Sequence, residues 1–400
     1  MRLLFLTHGL NKLNENLMPW RYVLDIANGI KRLGHDCIIL TDNNLTQAKK
    51  WVNKDTIVYQ IKGRFSFRNN NFTNLVNKIG PDAIYFPVSR KSAISGRLSN
   101  VGNILAIAYF PGSWLNLRTI WRTLPKLSFF QAFVYAAESL IPGSLLVKKL
   151  KKRKTAGLIA LSSYTTGCLI HCGWSASKIK TIPPGLDPIP TAMSYSETFK
   201  KHSVYNKSKT SFLYMGPPEK IRGIFCLLKA FDLAADRADD ITLACLLRHD
   251  SYTEFNGVFK AHASLRHKER IILITDSLNK PNLATFIKAS DVVVLPFLLV
   301  PSEIPLAVIE ALSLGKPLII TESGGTSQFV KEAAMVIPPN NVEALKNAIV
   351  NIASRYEMRK KMGLKAKEIA SRHPRWEQVS KELFEFTQQM LPTKELHLSQ

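Results

Sequence analysis

Short runs of consecutive apolar residues alternate along this chain with stretches in which apolar residues recur every three or four positions. The runs are typical of strands buried on both faces of a parallel sheet, and the spaced stretches are typical of amphipathic helices. The runs predict strands at 3–7, 37–41, 83–87, 104–110, 157–162, 211–215, 241–247, 270–275, 291–297 and 317–321. The spaced stretches predict helices near 19–33, 223–236, 282–289, 303–314 and 342–353. This alternation indicates an α/β protein with two parallel-sheet units.

A proline-rich segment, IPPGLDPIP at 182–190, separates the two halves of this pattern. Its four prolines predict a stiff hinge. A chain of 400 residues also exceeds the usual size of a single hydrophobic core. We therefore predict a first domain over 1–187, completed by a C-terminal helix at 375–391, and a second domain over 188–374. Open α/β sheets bind ligands at the C-terminal ends of their strands, so we expect a ligand-binding cleft there.

The formal charge of +24 indicates an anionic partner. Residues 1–200 hold 27 Lys and Arg against 9 Asp and Glu, an excess of +18, whereas residues 201–400 hold 27 against 21, an excess of +6. The first half therefore carries most of the positive field. No helix-turn-helix, zinc-finger or RNA-binding signature accompanies the charge, so we expect no nucleic-acid partner.

Membrane-spanning, secreted and metal-binding classes find little support in the sequence. The longest nearly apolar stretch, 129–147, is interrupted by Gln131, Glu138 and a Pro-Gly pair, which makes it a poor membrane span. The N-terminal apolar run is too short for a signal peptide. The five cysteines show no zinc or redox spacing. We expect a cytoplasmic protein with no metal site.

The stretch PSEIPLAVIEALSLGKP at 301–317 predicts a helix with defined ends. Ser302 suits the N-cap, and Pro305 loses no helical hydrogen bond in the first turn. Gly315 suits the residue that ends the helix. The N-terminus of this helix, over 303–314, would then open toward the ligand site.

Two carboxylates stand in this otherwise apolar stretch. Glu303 either complements the helix dipole or faces a ligand. Glu310 lies in a turn that we expect to be buried, where an ionised carboxylate requires a compensating partner. Seven residues in a helix bring Glu310 back to within about 20° of the direction of Glu303, so we predict that both acids share one face. The vicinal hydroxyls of a ribose are a suitable partner.

The segment GPPEKIRG at 216–223 links a predicted strand to a predicted helix. Gly216 begins its turn, and Lys220 and Arg222 place two cations beside a helix N-terminus. This combination suits a diphosphate, although a basic surface loop is the alternative.

Two further loops follow predicted strands. Gly324 and Gly325 allow the backbone to approach a ligand closely, although such pairs also form plain turns. After the first strand, the loop at 7–20 offers His8 and Gly9 as candidates to face donor phosphates, and a solvated loop histidine is the alternative reading.

These motifs, taken in order, resemble the retaining glycosyltransferases of family four, which have the GT-B fold. Residues 157–187 resemble the family's strand, helix and hinge, and residues 289–330 resemble its donor-binding segment. The resemblance implies two Rossmann-like domains that face each other across a cleft. It further implies metal-independent sugar transfer with retention, no protein nucleophile, and no cofactor beyond a nucleotide-diphospho-sugar.

Carried onto this sequence, the resemblance implies roles for individual residues. Glu303 would act as the catalytic residue that holds the hydroxyls of the transferred sugar, and Glu310 would hold the donor ribose. Backbone N–H groups near Leu306 and Ala307, together with Arg222, would hold the diphosphate.

The chain also departs from the family's pattern. Six residues separate Glu303 from Glu310 where the family has seven, and Ser302 occupies the family's position of the first Glu. Pro217 stands where an Arg is usual, so Lys220 would supply the second positive charge. Gln328 replaces a common acid, and the stretch AIAYFPGSW at 106–114 lacks the family's frequent His.

A basic and aromatic segment distinguishes the first half. Between Arg118 and Lys154 the chain holds nine cations against the single acid Glu138. Such a segment suits an anionic bilayer, whereas the alternative is a solvated helix face whose aromatics pack into the domain. The predicted membrane-surface residues are Arg118, Arg122, Lys126, Lys148, Lys149, Lys151, Lys152, Arg153 and Lys154.

The sequence thus predicts a glycosyltransferase at the cytoplasmic membrane face that extends a lipid-linked or surface polysaccharide. The main alternative is a GT-B-fold binding or scaffold subunit that has lost catalysis, which the altered motifs favour. Another nucleotide-sugar enzyme with this fold, such as an epimerase, is a third reading.

Overall fold

The structure is a computed structural model that divides into two compact units. It describes residues 1–12, 14–43, 49–62, 65, 70–94, 104–115, 117–123, 129–187, 210–248, 252–276, 278–300 and 302–391. Unit 1 comprises Met1–Gly112, Ile141–Gly185 and Pro374–Gln400, and unit 2 comprises Ser113–Leu140 and Leu186–His373. The segment Ser113–Leu140, here called the insertion, thus packs with unit 2, although its place in the sequence put it inside the predicted first domain.

Fourteen strands and fourteen helices of the described residues form the two units. The strands are β1 (Arg2–His8), β2 (Asp36–Asn43), β3 (Lys49–Asn53), β4 (Thr56–Lys62), β5 (Ala83–Pro87), β6 (Leu105–Phe110), β7 (Gly157–Ala160), β8 (Ile179–Thr181), β9 (Thr210–Gly216), β10 (Ile241–Leu247), β11 (Ile271–Ile274), β12 (Val292–Leu295), β13 (Leu318–Thr321) and β14 (Ala334–Ile337). The helices are α1 (Trp20–Arg32), α2 (Asn70–Ile79), α3 (Leu117–Thr123), α4 (Phe129–Leu140), α5 (Gly143–Lys152), α6 (Ser163–His171), α7 (Ile224–Ala235), α8 (Tyr252–Ala263), α9 (Lys280–Ala289), α10 (Leu306–Ser313), α11 (Gly324–Phe329), α12 (Val342–Ser354), α13 (Tyr356–Arg372) and α14 (Trp376–Met390).

Unit 1 is built on an eight-stranded sheet with the order β3-β4-β2-β1-β5-β6-β7-β8. Neighbouring strands are parallel except β3 and β4, which form an antiparallel edge. The apolar run of β1 is buried from Leu3 to Leu6, as expected for a strand covered on both faces. The C-terminal helix α14 packs against α1 and belongs to this unit.

Unit 2 contains a six-stranded, fully parallel sheet with the order β11-β10-β9-β12-β13-β14. Successive residues of β9 enter different core clusters, because side chains alternate between the faces of a strand. Phe212 and Tyr214 join one cluster, with α7 and α12, whereas Leu213 and Met215 join the other, with α9, α10 and α13. Both faces of the sheet are therefore covered by helices.

The insertion adds a small third core to unit 2. Ile120 of α3 is buried against Ile221, Leu298 and Leu299, and Tyr135 of α4 packs on the same cluster. Four apolar residues in a row, Phe297–Val300, are buried in the loop after β12 because the insertion covers part of them.

The strands predicted from apolar runs are all present, and their ends agree with the structure to within two residues. The sequence did not reveal β3, β4, β8 and β14, which lack long apolar runs. Strands β3, β8 and β14 lie at sheet edges, whereas β4 lies inside its sheet and has polar residues among its apolar ones. Residues 188–190 of the predicted hinge lie outside the described residues. Among the described residues, none of the helices has the length and apolar character needed to span a membrane.

Candidate functional site

The candidate site lies where the strand order of unit 2 reverses, between β9 and β12. At such a reversal, the loops after the two central strands diverge and leave a crevice that binds ligands in open α/β sheets. The loop after β9 runs over 217–223, and the described part of the loop after β12 comprises 296–300 and 302–305. These loops carry the residues that the sequence predicted for the diphosphate and the sugar.

The two loops are joined by direct contacts. The backbone N–H of Leu298 donates to the carbonyl of Ile221 at 2.9 Å. Gly223 has a φ of +78°, and a Cβ at this position would lie 1.8 Å from the carbonyl oxygen of Pro296. Only glycine permits this close approach. The loop containing Lys220 and Arg222 is therefore held against the loop after β12.

Arg222 ends a 3₁₀ turn over Lys220–Arg222, and Gly223 separates it from the start of α7 at Ile224. Its guanidinium carbon lies 5.7 Å from the centre of the Phe297 ring, within the range of a cation–π interaction. Burial lowers the pKa of the Arg222 guanidinium, while the nearby Tyr214 and Glu219 act in the opposite direction. The guanidinium stays protonated, and its buried Nε has no hydrogen-bond partner among the described residues. A partly desolvated cation of this kind favours an anionic ligand.

Lys220, by contrast, is exposed on the same turn. Gly216 ends β9, and the Tyr214 hydroxyl donates to the carbonyl of Pro217 at 3.0 Å, which fixes the turn that follows. Lys220 is therefore placed as an outer cation and Arg222 as an inner one.

Helix α10 begins at Leu306, three residues later than predicted. Pro305 occupies the N-cap, so the prediction that Ser302 caps this helix is wrong. The Ser302 side chain is 7% exposed, and its hydroxyl has no hydrogen-bond partner among the described residues. Leu306 and Ala307 occupy the first turn, where backbone N–H groups have no acceptor within the helix. Their predicted role toward a diphosphate is consistent with this position and stays a prediction.

Glu303 lies in the loop before α10, not in the helix, so its predicted relation to Glu310 along one helix face is wrong. The residue is 2% exposed. Oε1 accepts a hydrogen bond from the Gly325 N–H at 2.9 Å, and Oε2 accepts one from the Trp114 N–H at 3.2 Å. The Thr326 hydroxyl also donates to the Glu303 carbonyl. Glu303 therefore connects three segments of unit 2.

Glu310 is half-buried in α10, whereas the sequence analysis expected the turn around it to be buried. Its neighbours Val308, Ile309, Ala311 and Leu312 are buried, so the helix does present one apolar face to the core. The difference arises because α10 covers the sheet with one side only, and Glu310 lies toward its edge. A half-buried carboxylate is accessible to a ligand, and its predicted contact with a ribose stays a prediction.

His8 and Gly9 lie in unit 1, at the end of β1. The Nδ1 of His8 is 2.7 Å from Oδ2 of Asp42, and the Gly9 N–H donates to Oδ1 of Asp42 at 3.3 Å. Gly9 has a φ of +70°, which explains a glycine here. Both residues are thus already engaged with Asp42, and their role toward donor phosphates stays a prediction.

The predicted membrane-surface residues that the structure describes fall on α3, on α5 and on the two residues that follow α5. In α5, buried Leu146, Val147 and Leu150 form the inner face, and the basic residues line the rest of the helix and its C-terminal end. Lys148, Lys151, Lys152 and Lys154 are exposed, whereas Lys149 and Arg153 are half-buried, with Lys149 donating to the Ala93 carbonyl. Arg122 of α3 is exposed, while Lys126 and the side chain of Arg118 lie outside the described residues.

The aromatic residues of the insertion do not all pack inward. Trp121 is 69% exposed and Phe133 is 66% exposed, and Leu117 and Leu140 are exposed as well. Tyr135 instead faces the site: burial raises its pKa, and Glu138, Arg222 and Glu219 act on it electrostatically. The insertion therefore has an inner side on the loops after β9 and β12, called the donor loops below, and an outer apolar side.

Sequence reasoning missed Trp114 and Tyr135 as neighbours of the site. Trp114 contributes a backbone N–H, which no side-chain motif reveals. The buried run Phe297–Val300 was a possible signal, since a loop with four consecutive apolar residues requires something to cover it.

Part of the chain matches the model of a known protein family. Residues 196–369 match the family model described as "Glycosyl transferases group 1". The D-inositol 3-phosphate glycosyltransferase of Pseudarthrobacter chlorophenolicus is 25% identical over 178 residues, which are 44% of this chain and 41% of that protein. The matched stretch thus spans less than half the length of that relative.

Solved structures share the fold along nearly the whole chain. The sucrose-phosphate synthase of Thermosynechococcus elongatus has a TM-score of 0.69 at 16% identity, covering 97% of this chain and 98% of that one. The Anabaena protein Alr3699/HepE, in complex with UDP and glucose, has a TM-score of 0.67 at 16% identity, covering 96% of this chain and 98% of that one. This likeness confirms the predicted α/β fold of the GT-B type.

Proposed function

We propose that this chain, whose residues 196–369 match the glycosyl transferases group 1, transfers a sugar from a nucleotide-diphospho-sugar with retention of configuration. The observation that carries this proposal is the position of Arg222 and the N-terminus of α10 at the reversal of strand order in unit 2. A guanidinium and a helix N-terminus both favour phosphate oxygens. The Anabaena protein of the same fold was solved with UDP and glucose, which supports the same donor class here.

In the proposed reaction, the bond between the anomeric carbon and the diphosphate oxygen breaks, and a bond to an acceptor hydroxyl forms on the same face. The acceptor's proton passes to the departing phosphate oxygen, so the step requires neither a protein nucleophile nor a cofactor. Arg222, the exposed Lys220 and the first N–H groups of α10 would stabilise the charge that develops on the diphosphate. Metal independence is part of this proposal.

Calorimetric titration with UDP, GDP, ADP and their common sugar conjugates, in buffer with a chelator, tests the donor site. We expect saturable binding of one nucleotide. Donor consumption with and without glycan acceptors then distinguishes transfer from epimerisation. If none of the nucleotides binds, the altered motifs mark a lost active site, and the scaffold function takes the place of this proposal.

Glu310→Gln is expected to weaken binding of the nucleotide about tenfold, because an amide replaces a charged acceptor of the ribose hydroxyls. The same titration measures the change. Glu357→Gln is the matched control, since Glu357 is exposed on α13 of the same unit. Unchanged nucleotide affinity in Glu310→Gln would show that Glu310 does not bind the ribose.

We further propose that the acceptor is lipid-linked or part of a surface polysaccharide, and that the protein associates with the cytoplasmic face of the membrane. The exposed lysines of α5 and the exposed Trp121 and Phe133 of the insertion support this proposal. Cations attract anionic headgroups, and exposed aromatics favour the interfacial region of a bilayer.

Replacement of Lys148, Lys151 and Lys152 by Gln is expected to weaken binding to phosphatidylserine-containing vesicles about 100-fold, since each surface cation contributes about 1 kcal/mol. Vesicle sedimentation at constant ionic strength measures the change. The control is a triple replacement of Lys331, Lys360 and Lys361, which are exposed elsewhere and remove the same charge. Equal losses of binding in both variants would indicate that only the net charge of the protein attracts the vesicles. No loss in either variant would indicate that α5 is a solvated helix face without a membrane role.

A further inference from the structure

The Glu303 carboxylate joins parts of unit 2 that are far apart in the sequence. Trp114, whose N–H donates to Oε2, begins the insertion, and Gly325, whose N–H donates to Oε1, lies at the start of α11. The Thr326 hydroxyl contacts the Glu303 backbone carbonyl. A single side chain thus connects the insertion, the loop after β12 and the loop after β13.

Burial limits what else this carboxylate can do in the same arrangement. With 2% of the residue exposed and each oxygen accepting a backbone N–H, the Glu303 side chain is enclosed by the protein. Charge-assisted hydrogen bonds from backbone N–H groups compensate the carboxylate for its lost hydration. The remaining lone pairs of the carboxylate are enclosed as well, so a sugar hydroxyl could reach them only if the surrounding residues moved.

Two of the segments that Glu303 connects, the insertion and the loop after β12, also lie against Arg222 or the residue before it. The insertion packs Ile120 and Tyr135 on Ile221, the residue before Arg222, and on Leu298 and Leu299. Tyr135 is close enough to Arg222 to act on it electrostatically. Because Glu303 fixes Trp114 at the start of the insertion, it also helps to fix the part of the insertion that packs beside the proposed diphosphate site.

We propose that Glu303 is a positioning residue: it holds the Trp114 and Gly325 N–H groups, and with them the insertion and α11, against the donor loops. It does so without contact with the transferred sugar. Its effect on donor binding rests on the proposed function, whereas the hold on the two N–H groups does not.

Glu303→Gln separates this role from a sugar contact. The Gln side chain keeps one oxygen acceptor but places an NH₂ group opposite one backbone N–H, so one of the two hydrogen bonds is lost. We expect the affinities for the bare nucleotide diphosphate and for its sugar conjugate to fall by the same factor, about tenfold. A sugar contact would instead lower only the affinity for the sugar conjugate, and that outcome would overturn the proposal.

Hydrogen exchange of backbone amides, followed by mass spectrometry, provides a readout that does not depend on donor. In Glu303→Gln we expect faster exchange in peptides that contain Trp114 and Gly325. Glu310→Gln is the control, because it should weaken nucleotide binding without faster exchange there. Unchanged exchange in folded Glu303→Gln would overturn the proposal.

If Glu303→Gln fails to fold, hydrogen exchange in the wild-type protein still tests the proposal. In the wild type, the Trp114 and Gly325 amides are expected to be protected, and exchange at the rate of unstructured peptide would overturn the proposal. If wild type binds no nucleotide at all, the proposed function fails, whereas the exchange measurements still decide the positioning role.

Discussion

Arg222→Ala is expected to lower the affinity for a nucleotide diphosphate by roughly 10- to 100-fold, because hydrogen bonds to charged groups contribute about 1.5–3 kcal/mol. The variant should lose little thermal stability, because the lost cation–π contact with Phe297 is offset by the removal of a buried charge. The wild-type guanidinium is desolvated and its Nε has no hydrogen-bond partner among the described residues, so its removal relieves an unfavourable burial. Titration calorimetry and a thermal melt of the same sample measure both quantities.

Arg237→Ala is the matched control for this prediction. Arg237 follows the other end of α7, is exposed, and carries the same charge in the same unit. Its loss should leave nucleotide affinity unchanged. Equal losses of affinity in the two variants would mean that Arg222 acts only through the net charge, and a large drop in stability of Arg222→Ala would identify it as a structural residue.

Gly223→Ala is expected to destabilise the protein by about 3 kcal/mol or more, which only a few mechanisms produce. The φ of +78° by itself costs a residue with a Cβ about 1–2 kcal/mol. The added Cβ would also stand 1.8 Å from the Pro296 carbonyl oxygen, so the two donor loops must separate. Chemical denaturation measures the free energy of unfolding, and the same variant should lose nucleotide binding.

Gly257→Ala provides the comparison within unit 2. Gly257 lies inside helix α8, and a Cβ there would meet Phe225 at 3.4 Å, an ordinary contact. Because alanine is a better helix former than glycine, we expect stabilisation by about 0.5–1 kcal/mol. If Gly223→Ala were as stable as the wild type, the close approach of the two loops would not exist in solution.

The parallel sheets could be predicted from sequence because their strands are buried on both faces. In β10 and β12 this burial requires continuous apolar runs, and those runs mark the strands almost to the residue. The edge strand β3, KKWVN, escapes the same reasoning because it is mostly exposed and carries polar residues. Composition identifies a strand only where both sides of it are covered.

The candidate site was predictable in part. Arg222 follows a strand in a Gly-Pro turn, so local sequence places it at the ligand end of the sheet. The helix over 303–314 was predicted too early because Ser302 and Pro305 both suit a helix start, and tertiary contacts decided between them. The Gly325 and Trp114 N–H groups hold Glu303 in an extended loop, where a helical relation to Glu310 no longer applies.

The sequence by itself determined local features of this protein: the strands with long apolar runs, the helices that cover them and the cation in the loop after β9. These depend on apolar periodicity and turn chemistry within a few residues. The tertiary structure alone decided that the insertion packs on unit 2, that Gly223 meets Pro296, and that Glu303 is enclosed by two backbone N–H groups. Those contacts join residues tens to hundreds of positions apart. The insertion packs through ordinary apolar side chains, and Gly223 and Glu303 meet backbone atoms, which every residue shares and no sequence motif can distinguish.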